Sequence, residues 1–354
     1  MTASAEPGVE PHGPYYDLVV AEVIDETHDS RSVVFDIPAA LSETFAYQAG
    51  QFLTFRVEVD GKRLVRCYSL ASSPATETRH KVTIKRVVDG RASNWFNDHV
   101  SAGTTLEVMK PAGVFVLQDR TTPVVLFAGG SGITPVISIV KTALATTGRP
   151  VKLVYANRDE RSIIFKAELD ALQAKHSDRL EIVHRLDDRD GFADDDFVRA
   201  QVGVQTGADF YVCGPGPFMD IVESTLEHMG VAHDQFHIER FESPDEFEPE
   251  AEVEIGMPVT GGGPVVSVKL DGSEHEVALQ EGETILHGAR RLGLEPPFAC
   301  EDGYCGCCMA MVKEGDVEML HNDGGVDANQ IAQGWVLTCQ GVPKTPKVRV
   351  EYPE

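Results

Sequence analysis

Cys300-Glu301-Asp302-Gly303-Tyr304-Cys305-Gly306-Cys307-Cys308, answered later by Cys339, decides how the end of this chain folds. Cys300, Cys305 and Cys308 have C-x4-C-x2-C spacing, and Cys339 follows 31 positions after Cys308. Three thiolates from one tight loop and a fourth from a later segment are the plant-type ligand pattern of a 2Fe-2S cluster. Gly303 and Gly306 suit a loop that wraps a cluster, because such a loop needs backbone angles that favour glycine. Zinc is the alternative for four cysteines, but structural zinc sites usually take two close pairs such as C-x2-C. The x2 spacing selects Cys308 over its neighbour Cys307, which is left as a bystander.

Working outward, the 354 residues exceed one core and predict two or three domains. The net charge of −25 argues against nucleic-acid and anionic-membrane partners. No apolar run approaches the ~20 residues of a membrane span. Three of the seven cysteines, Cys67, Cys213 and Cys307, fall outside the ligand pattern without forming a disulfide framework. A reducing cytoplasm is the expected compartment, and a monomer the expected state.

Residues 1–14 read as a mobile tail. Over 15–118 the runs 18–23, 32–37, 51–59, 63–70 and 81–88 are rich in Val, Ile, Phe and Thr, with Asp60-Gly61 as a hairpin turn. With a short helix near 93–99 and strands to about 117, they predict a small antiparallel β-barrel. Over 119–241 buried strands alternate with helices, which predicts an α/β domain with a parallel sheet covered on both faces. Residues 242–263 form an acidic, Gly-rich linker. Residues 264–354 show a hairpin, a helix over 284–292, the cysteine loop and a closing strand, an order that suits a β-grasp (α+β) ferredoxin.

Arg66-Cys67-Tyr68-Ser69 ends a strand. An arginine can hold a phosphate, a tyrosine offers a face to a planar ring, and a serine hydroxyl can bond a ring heteroatom. Alone it is equally an ordinary strand end. Gly90-Arg91-Ala92-Ser93, about twenty residues on, offers a helix N-terminus for a pyrophosphate, with Ser93 as a plain N-cap in the alternative reading. Gly129-Gly130-Ser131-Gly132-Ile133-Thr134 joins a strand to a helix, and Cys213-Gly214-Pro215-Gly216 follows a later strand. Each can be a mere tight turn; two of them at carboxyl ends of strands favour a nucleotide cleft. Asp159 and Glu160 favour a ribose hydroxyl and NADH, whereas Arg158 and Arg161 leave NADPH as the lesser option, and a solvated charged turn is an equal alternative for the segment.

These motifs, in this order from about Tyr15 onward, resemble the ferredoxin-reductase superfamily with a C-terminal plant-type ferredoxin, the reductase components of bacterial oxygenases. The resemblance is carried by 66–70, 92–95, 130–135, 155–159 with 161–165, 213–219 and 237–239. It is nearest to the reductases of 3-ketosteroid 9α-hydroxylases, with phenylacetyl-CoA epoxidase reductases slightly further away. It implies FAD rather than FMN. Tyr68 would stack on the flavin, Ser69 would lie near its N5, and Arg66, Ala92 and Ser93 would hold its pyrophosphate, with Lys85 and Gly90 also in the cofactor site. Gly130 and Thr134 would hold the nicotinamide nucleotide, Cys213, Gly214 and Pro215 would lie beside the nicotinamide, and Phe241 would cover the flavin.

NADH delivers two electrons and a 2Fe-2S cluster accepts one, so a flavin that can do both must lie between them. The expected activity is therefore an NADH-dependent reductase passing electrons through FAD and 2Fe-2S to a separate oxygenase, expected to be Rieske-type. A phenylacetyl-CoA epoxidase or an alkane or aromatic hydroxylase are alternative recipients. A redox sensor or electron carrier without NADH turnover, and a zinc-stabilised binding module, are the alternatives from other classes. Residues 264–354 hold 7 Lys/Arg against 15 Asp/Glu, a net charge of −8 that suits a basic partner surface.

Overall fold

The computed structural model describes residues 11–241, 263–322, 324–326 and 328–353. The start of the expected N-terminal tail (1–10) and most of the expected linker (242–262) lie outside the described residues.

Six strands form the first sheet: β1 (Tyr15–Thr27), β2 (Ser30–Phe35), β3 (Phe52–Val59), β4 (Lys62–Ser69), β5 (His80–Lys85) and β6 (Thr105–Met109), with helix α1 (Arg91–His99) between the last two. Their order is β4-β3-β6-β1-β2-β5, and a bridge between Leu70 and Val82 ties the first edge to the last. Alternation sorts the side chains: Leu53, Phe55, Val57 and Val59 point inward with Leu18, Phe35 and Val108. Phe52, Thr54 and Arg56 therefore face out. The strand expected over 18–23 is the middle of a 13-residue β1, which pairs with β6 through Tyr15–Val19 and with β2 from Val20 on. Strands do not continue to 117. β6 ends at Met109, just before Pro111, and Phe115 of the following segment inserts into the next core.

The second sheet is parallel: β7 (Val124–Gly129), β8 (Val151–Asn157), β9 (Leu180–Leu186), β10 (Asp209–Gly214) and β11 (Phe236–Arg240), in the order β11-β10-β7-β8-β9. Helices α2 (Ile133–Thr146), α3 (Lys166–Lys175), α4 (Asp187–Asp190), α5 (Asp195–Val202) and α6 (Gly216–His228) connect them. Along β7, Val124, Leu126 and Ala128 enter one core while Val125 and Phe127 enter another. That is why this segment is a continuous apolar run: helices cover both faces. The chain reverses direction across the sheet between β7 and β10, which opens a crevice at their carboxyl ends.

The last sheet, β13-β12-β18-β14-β16, comprises β12 (Val265–Leu270), β13 (Ser273–Ala278), β14 (Met309–Glu314), β16 (Trp335–Leu337) and β18 (Lys347–Glu351). Helix α7 (Ile285–Arg291) packs on it, β15 (Val317–Met319) pairs with β17 (Gly341–Pro343), and α8 (Ala328–Ala332) is a short helix before β16. Thr284 caps α7 by accepting a hydrogen bond from the His287 amide at 3.4 Å. Helices α4 and α8 are absent from the sequence reading because four or five residues are too few to display a helical period. Among the described residues no helix is long and apolar enough to cross a membrane.

Candidate electron-transfer site

Three elements converge on one cleft. The end of β4 brings Arg66, Cys67, Tyr68 and Ser69, β5 brings Thr83 and Lys85, and the start of α1 brings Gly90, Arg91, Ala92 and Ser93. Ser131 and Thr134, at the start of α2, and Phe241, just beyond β11, close it from the side of the parallel sheet. A second cavity continues from it toward the cysteine loop. Phe52, Val65, Glu239 and Arg240 line it on one side, and Ala299, Cys300, Tyr304 and Cys305 on the other. Arg66, Cys67, Ser69 and Phe241 border both cavities, so the two adjoin at these side chains.

The residues present fit a flavin dinucleotide. The Ser69 hydroxyl is buried at 2 % exposure and its Oγ has no hydrogen-bond partner among the described residues, as expected of a group waiting for a ring heteroatom. No side chain among the described residues caps α1, and its first turn, Gly90 to Ser93, lines the cleft, which puts the positive end of the helix dipole there. Here the N-cap reading of Ser93 is corrected. Gly90 is the N-cap, Ser93 lies in the first helical turn, and its Oγ accepts from the Val87 amide at 3.2 Å. The Lys85 ammonium lies 3.9 Å from Asp29, leaving its charge close to the same opening. The Tyr68 ring is held edge-on by Phe96 at 5.2 Å between centroids.

One residue of the segment 237–239 was given no role in the sequence reading. Glu239 on β11 lines the second cavity, its Oε2 is closed off from solvent without a hydrogen-bond partner among the described residues, and burial raises its pKa to about 8. In the sequence it is one acid among 56, and only the strand pairing of Cys213 with Glu239 brings it beside the second glycine turn.

The two glycine turns touch each other. A Cβ on Gly132 would stand 2.1 Å from the Cys213 carbonyl oxygen, one on Gly129 would stand 2.7 Å from Cδ of Pro215, and one on Gly214 would stand 3.0 Å from the Gly129 backbone. These glycines are thus required by backbone-on-backbone packing at the crevice. Gly130 adopts a positive φ of 51°, and its carbonyl accepts from the Tyr155 hydroxyl at 2.9 Å, which holds the turn in place. Thr134 is buried with its hydroxyl bonded to the Ser131 carbonyl at 3.0 Å. The Asp159 carboxylate, expected on a ribose, also caps a local turn by accepting from the Ser162 amide and hydroxyl at 2.9 and 2.8 Å. The Ser162 hydroxyl and the neighbouring Arg158 hold its pKa below the usual carboxylate value.

Cys300, Cys305, Cys308 and Cys339 are all buried, while Cys307 and Cys67 are partly exposed. The Asp302 amide donates to Cys300 Sγ at 3.4 Å and the Cys307 amide to Cys305 Sγ at 3.5 Å. Glu301, Gly303 and Gly306 have positive φ values of 60°, 84° and 74°, which curl the loop so that amides point at sulfur. Four buried thiols, two of them receiving backbone amides, are a soft donor set suited to a 2Fe-2S cluster. From behind, the Thr338 hydroxyl donates to the Cys308 carbonyl at 2.9 Å and receives a 2.8 Å bond from the Tyr352 hydroxyl. The Cys307 thiol sits 3.9 Å from the Thr54 hydroxyl on the barrel.

A barrel with an uncapped helix facing a buried serine, a parallel sheet with paired glycine turns, and a four-cysteine loop together define a modular flavin and iron-sulfur oxidoreductase. Family models agree: an oxidoreductase FAD-binding domain matches residues 17–117, an oxidoreductase NAD-binding domain 126–224, and a 2Fe-2S iron-sulfur cluster binding domain 268–344. The chain belongs to the ferredoxin reductase components of multicomponent monooxygenases, and its cofactors are FAD, a nicotinamide dinucleotide and a 2Fe-2S cluster.

It is 43% identical to the ferredoxin reductase component of 3-ketosteroid-9-alpha-monooxygenase from Rhodococcus rhodochrous, over 97% of this chain and 98% of that one. The component of the same name from Mycolicibacterium smegmatis is 42% identical, over 98% and 99%. A component of 1,2-phenylacetyl-CoA epoxidase from Escherichia coli is 32% identical, over 96% and 98%. Among solved structures, phthalate dioxygenase reductase shares the fold with a TM-score of 0.59 at 24% identity, covering 96% of this chain and 98% of that one.

Proposed function

We infer that this protein takes hydride from NADH and passes single electrons to the Rieske-type oxygenase of a 3-ketosteroid 9α-hydroxylase. The observation that supports the electron route is the adjacency of two cavities: Arg66, Cys67, Ser69 and Phe241 border both the opening at α1 and the cavity walled by Cys300, Tyr304 and Cys305. The names of the relatives, at 42–43% identity over nearly the full chain, support the steroid oxygenase as recipient.

When bound, FAD converts one two-electron delivery into two single-electron departures, and the 2Fe-2S cluster takes those one at a time. The chain's residues hold, orient and protonate. Arg66, Lys85 and the α1 amides at Arg91, Ala92 and Ser93, with Gly90 before them, neutralise the diphosphate. Tyr68 supports the flavin ring and Phe241 covers it. Ser69 Oγ hydrogen-bonds the ring edge, and Glu239 holds a proton nearby. Gly130 and Thr134 seat the nicotinamide nucleotide, Asp159 receives its ribose, and Cys213, Gly214 and Pro215 border the reactive ring. Cys300, Cys305, Cys308 and Cys339 ligate the cluster, and Cys307 does not. The protein acts as a cytoplasmic monomer, in units bounded near 118, 241 and 263.

The deciding experiment is anaerobic addition of NADH to the purified protein, followed by reconstituted turnover of a 3-ketosteroid with a purified Rieske oxygenase. Bleaching of both the flavin and cluster bands and product formation are expected. Bleaching without product, but with product from an epoxidase partner, would reassign the recipient. Absence of any NADH-driven bleaching would overturn the reading.

A further inference from the structure

The outward face of β3 makes contacts beyond the flavin-binding barrel as well as within it. Three of its four outward positions meet the ferredoxin unit, and the fourth, Glu58, is exposed. Phe52 packs with Cys300 and Cys305, the Thr54 hydroxyl lies 3.9 Å from Cys307 Sγ, and Arg56 Nη1 donates to both oxygens of Glu295 at 3.2 Å. Side chains of one strand face repeat every second residue, so one face of β3 meets the cluster loop through Phe52 and Thr54 and its approach segment through Arg56.

Arg56 is prepared for this contact. Its Nε and Nη2 grip both oxygens of Glu107 at 2.9 and 2.8 Å, and the guanidinium lies 4.1 Å over the Tyr15 ring. The fork is immobilised from within the barrel, with Nη1 turned to the other unit. Arg63 adds a second cation, 3.8 Å from the same Glu295 carboxylate. Glu295 itself is mounted stiffly, because Pro296 and Pro297 follow it and fix the chain that runs to Cys300. Holding Glu295 therefore sets where the cluster loop comes to rest.

We propose that the Phe52–Thr54–Arg56 face of β3 is the receiving dock of the ferredoxin unit, and that Glu295 is the positioning residue that seats the cluster loop against the flavin cleft. This rests on the electron route given above. Electron transfer falls steeply with distance, so the seated population sets the rate at which the cluster fills. An ion pair is a suitable fastener for a unit that must also let go to serve a partner. Glu295 is 48 % exposed, so its attraction to Arg56 is modest and is screened by salt.

The test is anaerobic stopped-flow mixing of the full-length, cofactor-loaded protein with NADH, following flavin and cluster absorbance separately. Glu295→Gln and Glu295→Lys should leave the flavin phase unchanged. At low ionic strength the cluster phase should slow by about threefold in Glu295→Gln and about tenfold in Glu295→Lys. Added salt should slow the cluster phase of the parent, leave that of Glu295→Gln nearly flat, and speed that of Glu295→Lys. Glu295→Asp should retain most of the parental salt dependence. A cluster phase in Glu295→Lys with the parental rate and salt response overturns the dock. Failure of the parent itself to reduce its cluster with NADH overturns the electron route and, with it, the dock.

Discussion

Glu239 holds a carboxyl group where an ionised one is unwelcome, and its consequences can be measured. Its folded pKa of about 8 lies above the ordinary value of 4.5, so burial favours the neutral form. Below about pH 4.5 both folded and unfolded chains carry the proton and the group costs nothing. As pH rises toward 8 the unfolded chain ionises first and is favoured, so the protein loses stability across that window, by an amount of order a few kcal/mol. Glu239→Gln should abolish this slope. The gap in thermal midpoint between variant and parent should widen in the variant's favour from pH 5 to pH 8, and a pH-independent gap would contradict the assignment. The Ser69 hydroxyl, buried and unpartnered, makes a second prediction. Ser69→Ala should slow flavin reduction by NADH roughly tenfold or more while leaving flavin content and cluster intact, as read by stopped-flow absorbance.

The glycine turns and the seam between barrel and parallel sheet behave as units. Gly132 has an ordinary negative φ of −60°, so a side chain there is excluded by contact and not by backbone strain. Gly132→Ala should push the β7 and β10 turns apart. It should raise the KM for NADH by about tenfold or more, with flavin absorbance retained. The seam is fastened by Lys141 of α2, only 6 % exposed, which reaches Glu77 of the barrel at 2.6 Å and Glu168 of α3 at 2.9 Å, while Lys81 of β5 adds a 3.2 Å contact to Glu168. Lys141→Met takes the ion-pair partner from Glu77 and leaves Glu168 with Lys81 alone. Because both are about one-third exposed, the loss should be roughly 2–3 kcal/mol, somewhat below that of a fully buried pair, and visible as a lower unfolding midpoint. Most elements of this scale were legible in the sequence, because β7 announces itself as an uninterrupted apolar run and β3 alternates. Lys141 was not: a lysine in an apolar helix gives no sign of which distant carboxylates it will meet. The same limit hid Arg56 and Glu295, which are 239 positions apart.

At the scale of the whole molecule, the order of the three cofactor-binding units was readable because each carries a local signature: R-x-Y-S with a helix start, paired glycine turns, and spaced cysteines. What joins them was not readable, since contacts between units leave no periodicity. Cys300→Ser tests the joined molecule. It should remove the cluster spectrum and electron delivery to an oxygenase, while NADH still bleaches the flavin at the parental rate. Loss of flavin reduction in that variant would contradict the sequence of carriers. Electron delivery should also weaken with salt if the acidic ferredoxin unit meets a basic partner surface.

The cavity shared by Cys67 and Ser69 on one side and Ala299, Cys300 and Tyr304 on the other has one more consequence. A ligand occupying it touches both units, so its binding and their association are linked equilibria. Whatever free energy the seated ferredoxin unit adds to flavin retention, the flavin returns in equal measure to the seating. A chain stripped of flavin should hold its terminal unit more loosely, and a chain cut before residue 263 should lose flavin more readily on dilution.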